Sequence, residues 1–309
     1  MDQITEVFEF NVTDEYEDMR IDKLISELID SLSRTYIKKL IDDKKVFCNG
    51  KNVKASFSVS EGDHIVMEIP PVEVPEIVPQ DISLDILYED NDVIVVNKPK
   101  DMVVHPAAGH YKDTLVNAVM FHCKDNLSGI NGVMRPGIVH RIDKDTTGSV
   151  IICKNDNAHK EIAAQLKEHS INRVYHAICY GILKDDEGDI DAPIGRSSSD
   201  RKKMAVVPGG KEAQTHYKVL KRFEDDGFTY IECRLKTGRT HQIRVHMAYI
   251  GHPLLGDEVY AQGRKSKFKT NGQCLHAKTL GFIHPVTKEY VETDAPLPEY
   301  FSHLLNVLT

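Results

Sequence analysis

No stretch of the 309 residues is apolar for long enough to cross a bilayer, so a helical membrane protein is excluded. The opening Met1-Asp2-Gln3-Ile4-Thr5-Glu6 lacks the basic and apolar regions of a signal peptide, and a cytoplasmic protein is the expectation. The six cysteines (Cys48, Cys123, Cys153, Cys179, Cys233 and Cys274) are scattered, with no C-x-x-C pair. That excludes a zinc ribbon and a disulfide framework and leaves small buried thiols. The chain also lacks G-x-G-x-x-G, the phosphate-binding Gly-Lys-Ser/Thr and H-E-x-x-H. No cofactor and no metal are therefore expected. Neither a 20–50 residue repeat nor low complexity is present outside one proline-rich stretch.

A formal net charge of −8 argues at first sight against a nucleic-acid partner. Its distribution argues the other way. The first 18 residues carry Asp2, Glu6, Glu9, Asp14, Glu15, Glu17 and Asp18 and no Lys or Arg. Between Arg34 and Lys54 the balance reverses, with Lys38, Lys39, Lys44, Lys45 and Lys51 facing only Asp42 and Asp43. Two further basic clusters are Arg196 with Arg201-Lys202-Lys203, and Arg264-Lys265 with Lys267 and Lys269. Any one of them alone reads as a solvated surface; together they are basic patches inside an acidic whole.

The pattern divides the chain into an acidic segment (1–17), a small domain (18–70), a linker (71–80) and a large domain (81–309). In the small domain Ile21, Leu24, Ile25, Leu28 and Ile29 form a helical apolar stripe. Ser33 is placed to cap a second, basic helix bearing Ile37, Leu40 and Ile41. Asn49-Gly50 marks a hairpin, and Ile65, Met67 and Ile69 alternate as in a strand. Four prolines among residues 70–79 preclude a helix or central strand, so the linker reads as extended. In the large domain, helices are expected after Asp113 or Thr114, after Asn157 and after Thr240, the last running to Gly251. Strands are expected at 174–180, 215–223 and 228–236. Strands following strands with irregular helices give an α+β fold with a largely antiparallel sheet.

The most informative segment is His140-Arg141-Ile142-Asp143-Lys144-Asp145-Thr146-Thr147-Gly148, a polar loop feeding the apolar run Val150-Ile151-Ile152. A carboxylate in such a loop can face a cleft while its neighbours hold it, and aspartate can act as a nucleophile. A surface turn with a local Arg–Asp pair would read alike. Company decides. Val93-Ile94-Val95-Val96-Asn97-Lys98-Pro99, Val104-His105-Pro106, Arg173-Val174-Tyr175-His176-Ala177, Thr237-Gly238-Arg239-Thr240-His241-Gln242-Ile243-Arg244-Val245-His246, Gly251-His252-Pro253-Leu254-Leu255-Gly256-Asp257 and Cys274-Leu275-His276-Ala277 follow in order. With the nonapeptide they closely resemble the RluA/RluD group of RNA pseudouridine synthases. The helix, basic helix, hairpin and strand of residues 18–70 look like an S4 RNA-binding domain.

The resemblance implies a mixed sheet with a central catalytic cleft. It implies isomerisation of uridine to pseudouridine: cleavage of N1–C1′, rotation of the base and joining of C5 to C1′, with no redox change. Asp143 takes the family's place for the nucleophile, attacking C6 or C1′ or acting as base toward a glycal. Arg244 takes that of its paired cation, Tyr175 that of the active-site tyrosine, and Leu275 that of an apolar pocket residue. The base must leave its stack first. Arg141 is placed to enter the vacated space and His140 to support the loop. Arg239 lies near a helix N-terminus that suits phosphate, and Arg201, Lys202 and Lys203 fit a loop that closes on RNA. Arg34, Lys38, Lys39, Lys44 and Lys45 can track phosphates. The expected partner is RNA, foremost large-subunit ribosomal RNA of the kind the RluD/RluC-type enzymes modify, and the expected state is a monomer. Transfer RNA is the alternative substrate. A ribosome-assembly module without catalysis and an aspartate-nucleophile hydrolase are alternatives from other classes. The intact Asp143, Tyr175 and Arg244 speak against the first; the missing water-activating partner speaks against the second.

Overall fold

The computed structural model describes residues 6–29, 31–70, 77–106, 111–124, 126–130, 132, 135–198, 200 and 203–309. The chain forms two compact units, Met1–Pro75 and Glu76–Thr309. The first contains β1 (Glu6–Asn11), α1 (Ile21–Leu28), α2 (Arg34–Asp42), β2 (Val46–Cys48), β3 (Lys51–Asn52) and β4 (His64–Ile69), with antiparallel sheet order β1-β4-β2-β3. The stripe of α1 buries Ile21, Leu24 and Ile25 against Ile37, Leu40, Ile65 and Met67. Ser33 caps α2 by accepting from the Tyr36 N–H at 3.2 Å. Asn49 and Gly50 both take positive φ (50° and 75°), as a two-residue hairpin turn requires.

The acidic segment read as separate at 1–17 is part of this unit. Residues 6–11 are β1, and Phe8 and Phe10 pack on the core. An acid-rich surface strand hides its inward phenylalanines from a charge-based reading.

The second unit contains β5 (Ile86–Glu89), β6 (Val93–Lys98), α3 (Leu115–Cys123), β7 (Thr147–Cys153), α4 (Asp156–Lys167), β8 (Asn172–Tyr180), β9 (Glu187–Asp191), β10 (Ile194–Arg196), β11 (Met204–Val206), β12 (Gln214–Phe223), β13 (Phe228–Leu235), α5 (Gln242–Tyr249), β14 (Leu275–Ile283), β15 (Tyr290–Asp294) and α6 (Glu299–Val307). Among the described residues nine strands form one sheet in the order β5-β6-β7-β14-β8-β13-β12-β9, with β15 also on β14. Among the described strands only β7 and β14 pair in parallel. The unit is therefore the mixed, largely antiparallel α+β domain that the sequence pattern predicts.

Both faces of the central strands are covered, which is why they read as unbroken apolar runs rather than alternating ones. Ile94, Val96, Val150 and Ile152 face α3 with Leu115, Val116 and Val119. Val93, Val95, Ile151 and Cys153 face the other way, onto Ala158 and Ile162 of α4. All six cysteines are free and buried. Among the described residues no helix is long and apolar enough to cross a membrane.

Three boundaries differ from the sequence reading. The proposed linker's residues 71–76 lie outside the described residues, but 77–80 belong to the second unit. Ile77 is buried in its core, and Asn117 donates to the Val78 carbonyl at 2.8 Å. Neighbouring prolines suppress regular structure without preventing burial. The cap of α4 is Asn155, which accepts from the Ala158 N–H at 2.9 Å, not Asn157. The N-cap of α5 is His241 in the left-handed region (φ 57°), not Thr240, and its side chain makes no cap bond. Gln242 serves instead: its Oε1 accepts from the Arg239 N–H and Thr237 Oγ1, while its Nε2 donates to the Gln214 carbonyl and Thr215 Oγ1.

The parallel contact of β7 with β14 spans two pairs, Thr147 with His276 and Gly148 with Ala277. Gly148 has φ 106°, and a Cβ there would strike the Ala277 carbonyl oxygen. Gly148→Ala is expected to cost about 3 kcal/mol or more, from the strained backbone and the displaced strand. Urea unfolding of the variant checks this; a midpoint within error of wild type would show that the strand pair yields without cost.

Candidate active site

The site lies where β7, β14 and β8 adjoin at the middle of the sheet. Asp143 is on the loop entering β7, Leu275 begins β14, and Tyr175 sits in β8 opposite Ala277. Arg244, in the first turn of α5, closes the group from another segment. These four residues, with His140, Arg141, Arg239 and His241, line a cleft of about 530 Å³. That is within the usual range for small-molecule sites, about 300–1,000 Å³.

Arg244 is the hub. Its Nη1 donates to Asp143 Oδ2 at 2.8 Å. Its Nε and Nη2 form a two-pronged pair with Asp257, at 2.7 and 3.0 Å. Asp257 is fully enclosed, and its Oδ1 also accepts the N–H groups of Val259 and Tyr260 at 2.9 and 3.0 Å. Burial works against the Arg244 charge, but the bonds to Asp257 and the charge of Asp143 outweigh it and hold the guanidinium protonated more firmly than usual. Asp257 thus fixes Arg244, and Arg244 fixes Asp143. Among the described residues Asp143 Oδ1 accepts no hydrogen bond; His241 Nε2 stands 3.8 Å away, beyond bonding range. The Asp143 side chain lines the cleft and retains 20% exposure.

The loop that carries Asp143 is pinned at several points. The buried Lys98 donates to the carbonyls of Pro99, Met102 and Lys144, at 2.8, 2.8 and 2.9 Å. Gln273 Nε2 donates to Thr146 Oγ1 at 3.1 Å. His140 Nε2 accepts the Ile151 N–H at 3.0 Å, and burial lowers its pKa to about 3, so it is a neutral acceptor bracing the loop. Arg141 is exposed at the cleft and donates to His105 Nε2 at 3.2 Å. Tyr175 is buried against the cleft; burial raises its pKa, Arg173 opposes that and Asp143 adds to it, leaving a neutral phenol at ordinary pH. Leu275 contributes an apolar wall.

The remaining expected contacts are placed less uniformly. Arg239 lines the cleft, but its Nε already donates to the Glu212 carbonyl at 2.7 Å. Arg201 and Lys202 lie outside the described residues. Lys203 Nζ donates to Gln262 Oε1 at 3.1 Å. In the first unit Lys38, Lys39 and Lys44 are exposed and Lys45 is partly so. Arg34 is engaged with the buried Asp22 at 3.0 Å, beside Arg20 on the same carboxylate. Burial works to raise the Asp22 pKa; the hydrogen bonds to Arg20 and Arg34 overcome this and hold it below its ordinary value.

Reading the sequence missed Asp257, although its segment was picked out, because nothing local shows that a carboxylate 13 residues on meets Arg244. It also gave no role to Arg173 or His241, both in the cleft wall. Tyr260 joins this assembly: its hydroxyl is 2.9 Å from His241 Nδ1, accepts the Met204 N–H at 3.0 Å, and its ring lies 5.1 Å from the Arg244 guanidinium.

The sequence profile of the RNA pseudouridylate synthase family matches residues 92–249, and that of the S4 domain matches residues 19–65. The chain is 50% identical over 300 residues to the RNA pseudouridine synthase YlyB of Bacillus subtilis (strain 168), covering 97% of both chains. It is 46% identical over 307 residues to ribosomal large subunit pseudouridine synthase D of Zymomonas mobilis, covering 96% of both. Among solved structures it resembles human RNA pseudouridylate synthase domain containing 1, with TM-score 0.59 and 25% identity over 71% of this chain and 85% of that one.

His140, His105 and His276 of this unit are held neutral. Burial takes His140 to about 3, and His105 and His276 to about 4. The ordinary value is about 6.5. Below pH 6.5 the unfolded chain binds protons that the native histidines refuse, so stability falls with pH until about pH 4. Between pH 7 and 5 the three together are expected to remove about 5 kcal/mol. Urea unfolding at the two pH values measures this, and equal stabilities would contradict it.

Proposed function

The chain belongs to the RNA pseudouridylate synthase family and carries an S4 domain, and from that premise we propose that it isomerises specific uridines of large-subunit ribosomal RNA in the cytoplasm, acting as a monomer with Asp143 as its nucleophile or base. The activity itself, formation of pseudouridine in RNA, follows from family membership. The ribosomal substrate is supported by the S4 domain and by relatives named for the large subunit.

The observation that carries the assignment of roles is the Asp143–Arg244–Asp257 relay within the cleft that holds Tyr175 and Leu275. The isomerisation exchanges one proton for another: C5 loses a hydrogen as it joins C1′, and N1 gains one. The site must therefore hold an anionic group against the nucleoside and manage one proton. Asp143 has one oxygen committed to Arg244 and the other directed to reach the nucleoside. The Tyr175 phenol is suited to pack against the uracil and, through its oxygen, to take part in the C5 proton transfer. Arg141, at the cleft and bonded to His105, is suited to fill the stack left by the flipped base. Lys38, Lys39, Lys44 and Lys45 supply the positive face of the S4 unit for backbone phosphates.

Asp143→Asn keeps the shape and removes the reactive charge. Tritium release from RNA containing [5-³H]uridine should fall to background while RNA binding persists; ordinary release would remove Asp143 from the mechanism. Arg244→Met should lower the rate by roughly 10²–10⁴-fold, because it strands one buried carboxylate and frees another. Near-normal turnover would assign the positioning of Asp143 elsewhere. Deleting residues 1–75, which keeps the buried Ile77 and its neighbours with the second unit, should leave the chemical step on saturating RNA largely intact and weaken binding. Each lost phosphate contact should flatten the slope of log affinity against log salt by about 0.7–0.9. An unchanged slope would mean that the basic face of the S4 unit does not hold RNA.

A further inference from the structure

Arg173 is a cation in the cleft wall that the Asp143–Arg244–Asp257 relay does not use. It is 8% exposed. Among the described residues it has no ion pair and donates no hydrogen bond, and its Nε is buried without a partner. The Nε of such a guanidinium gives up its hydration with no bond in return, which is costly, while the rest of the group keeps some contact with open space. Its place is built for it. Gly238 lies against the guanidinium, and a Cβ there would come within 2.6 Å of Nη1. The positive charge reaches both Tyr175 and His140: it works against the rise that burial causes in the Tyr175 pKa and adds to the fall that burial causes in that of His140.

Arg173 stands two residues before Tyr175 on β8, hence on the same face and about 7 Å along the strand. It lines the catalytic cleft and also a neighbouring groove of about 590 Å³, which holds Asn172, Arg234 and Lys236. Two acids of that groove are engaged already: Asp189 faces His216 Nδ1 at 3.0 Å, and Asp191 accepts from Gln214 Nε2 at 3.1 Å. A cation shared by the two cavities, two residues from the expected base-packing tyrosine, is placed to meet the chain entering or leaving a flipped nucleotide. A phosphodiester offers two free oxygens that match a guanidinium fork, and an RNA strand brings one at every nucleotide.

We propose that Arg173 is the seat of a backbone phosphate next to the target uridine, and that the groove beyond it takes the adjoining single strand. This rests on the RNA-modifying reading above. The seat fixes the ribose relative to Asp143, so its loss acts on productive binding more than on the chemistry of bound substrate. It also means that the protein carries an unpaired buried charge for function, at the expense of its own stability when RNA is absent.

The test uses the full chain with Asp143→Asn, so that binding is read without turnover, and a labelled ten-nucleotide oligouridylate as probe, titrated at several KCl concentrations. Adding Arg173→Met should weaken binding about ten- to a hundredfold and flatten the salt slope by about 0.7. Arg173→Lys, which keeps the charge, should retain the slope. Thermal unfolding without RNA should show Arg173→Met to be as stable as its parent or more so. Unchanged affinity and slope in the Met variant would overturn the proposal. So would a marked loss of stability, which would make Arg173 a structural residue. With Asp143 intact, Arg173→Met should raise KM for RNA far more than it lowers kcat; the reverse split would also overturn it. If the wild-type protein formed no pseudouridine in any RNA offered, the functional reading would fail, whereas the oligouridylate slope would still decide the phosphate seat.

Discussion

One guanidinium shared between two carboxylates sets the geometry of the whole site. Arg244 has five N–H donors in a rigid plane. Asp257 takes the Nε–Nη2 edge, and what remains pointing at Asp143 is Nη1. The plane cannot turn without breaking the two-pronged pair, and Asp257 cannot turn without abandoning the Val259 and Tyr260 N–H groups. Orientation therefore passes from backbone to Asp257, to Arg244, to Asp143. A lysine in place of Arg244 would be a point charge with no edge to lock, and the direction of Asp143 would be lost.

The sheet supplies the second constraint. Three adjacent central strands deliver Asp143, Leu275 and Tyr175 within side-chain reach of one another. The one parallel contact of the sheet, between β7 and β14, brings the start of β14 beside the end of the Asp143 loop. Close approach there needs Gly148, and the turn before it needs Lys98, whose ammonium gathers three carbonyls including that of Lys144. Folding and catalysis draw on the same contacts. The strand that buries Val150 and Ile152 in the core also holds the loop that carries Asp143.

Polar groups inside this unit fall into two classes. Gln242, His246 and His276 have their bonding capacity met by side chains and carbonyls, and they weld loops to the sheet. The histidines among them are neutral and serve as donors and acceptors rather than charges. Arg173 is of the other class, a buried cation with bonds to spare in the wall of a cleft. Buried polar groups that are satisfied help to specify a structure; one that is not, in the wall of a cleft, calls for an explanation, and a ligand is one.

The sequence by itself determined most of the local structure and the identity of the chemistry. Period-3.6 and period-2 patterns marked α1, α2, β4 and β13, because each element buries one face of its own. Asn49-Gly50 marked its hairpin, because only residues tolerant of positive φ make that turn. Asp143, Tyr175, Arg244 and Leu275 were singled out by ordered motifs, and the fold brings the four into the wall of one cleft. What escaped was whatever depends on distance through space. Phe8 and Phe10 looked like part of an acidic tail until β1 found β4, and Ile77 like linker until it met the core. The cap of α5 was misplaced because a side chain inside the helix, Gln242, does the capping from the far side of a loop. Asp257 and Arg173 gained meaning only from their neighbours, since the sign of a charge is written in the sequence but the presence or absence of its partner is decided by packing.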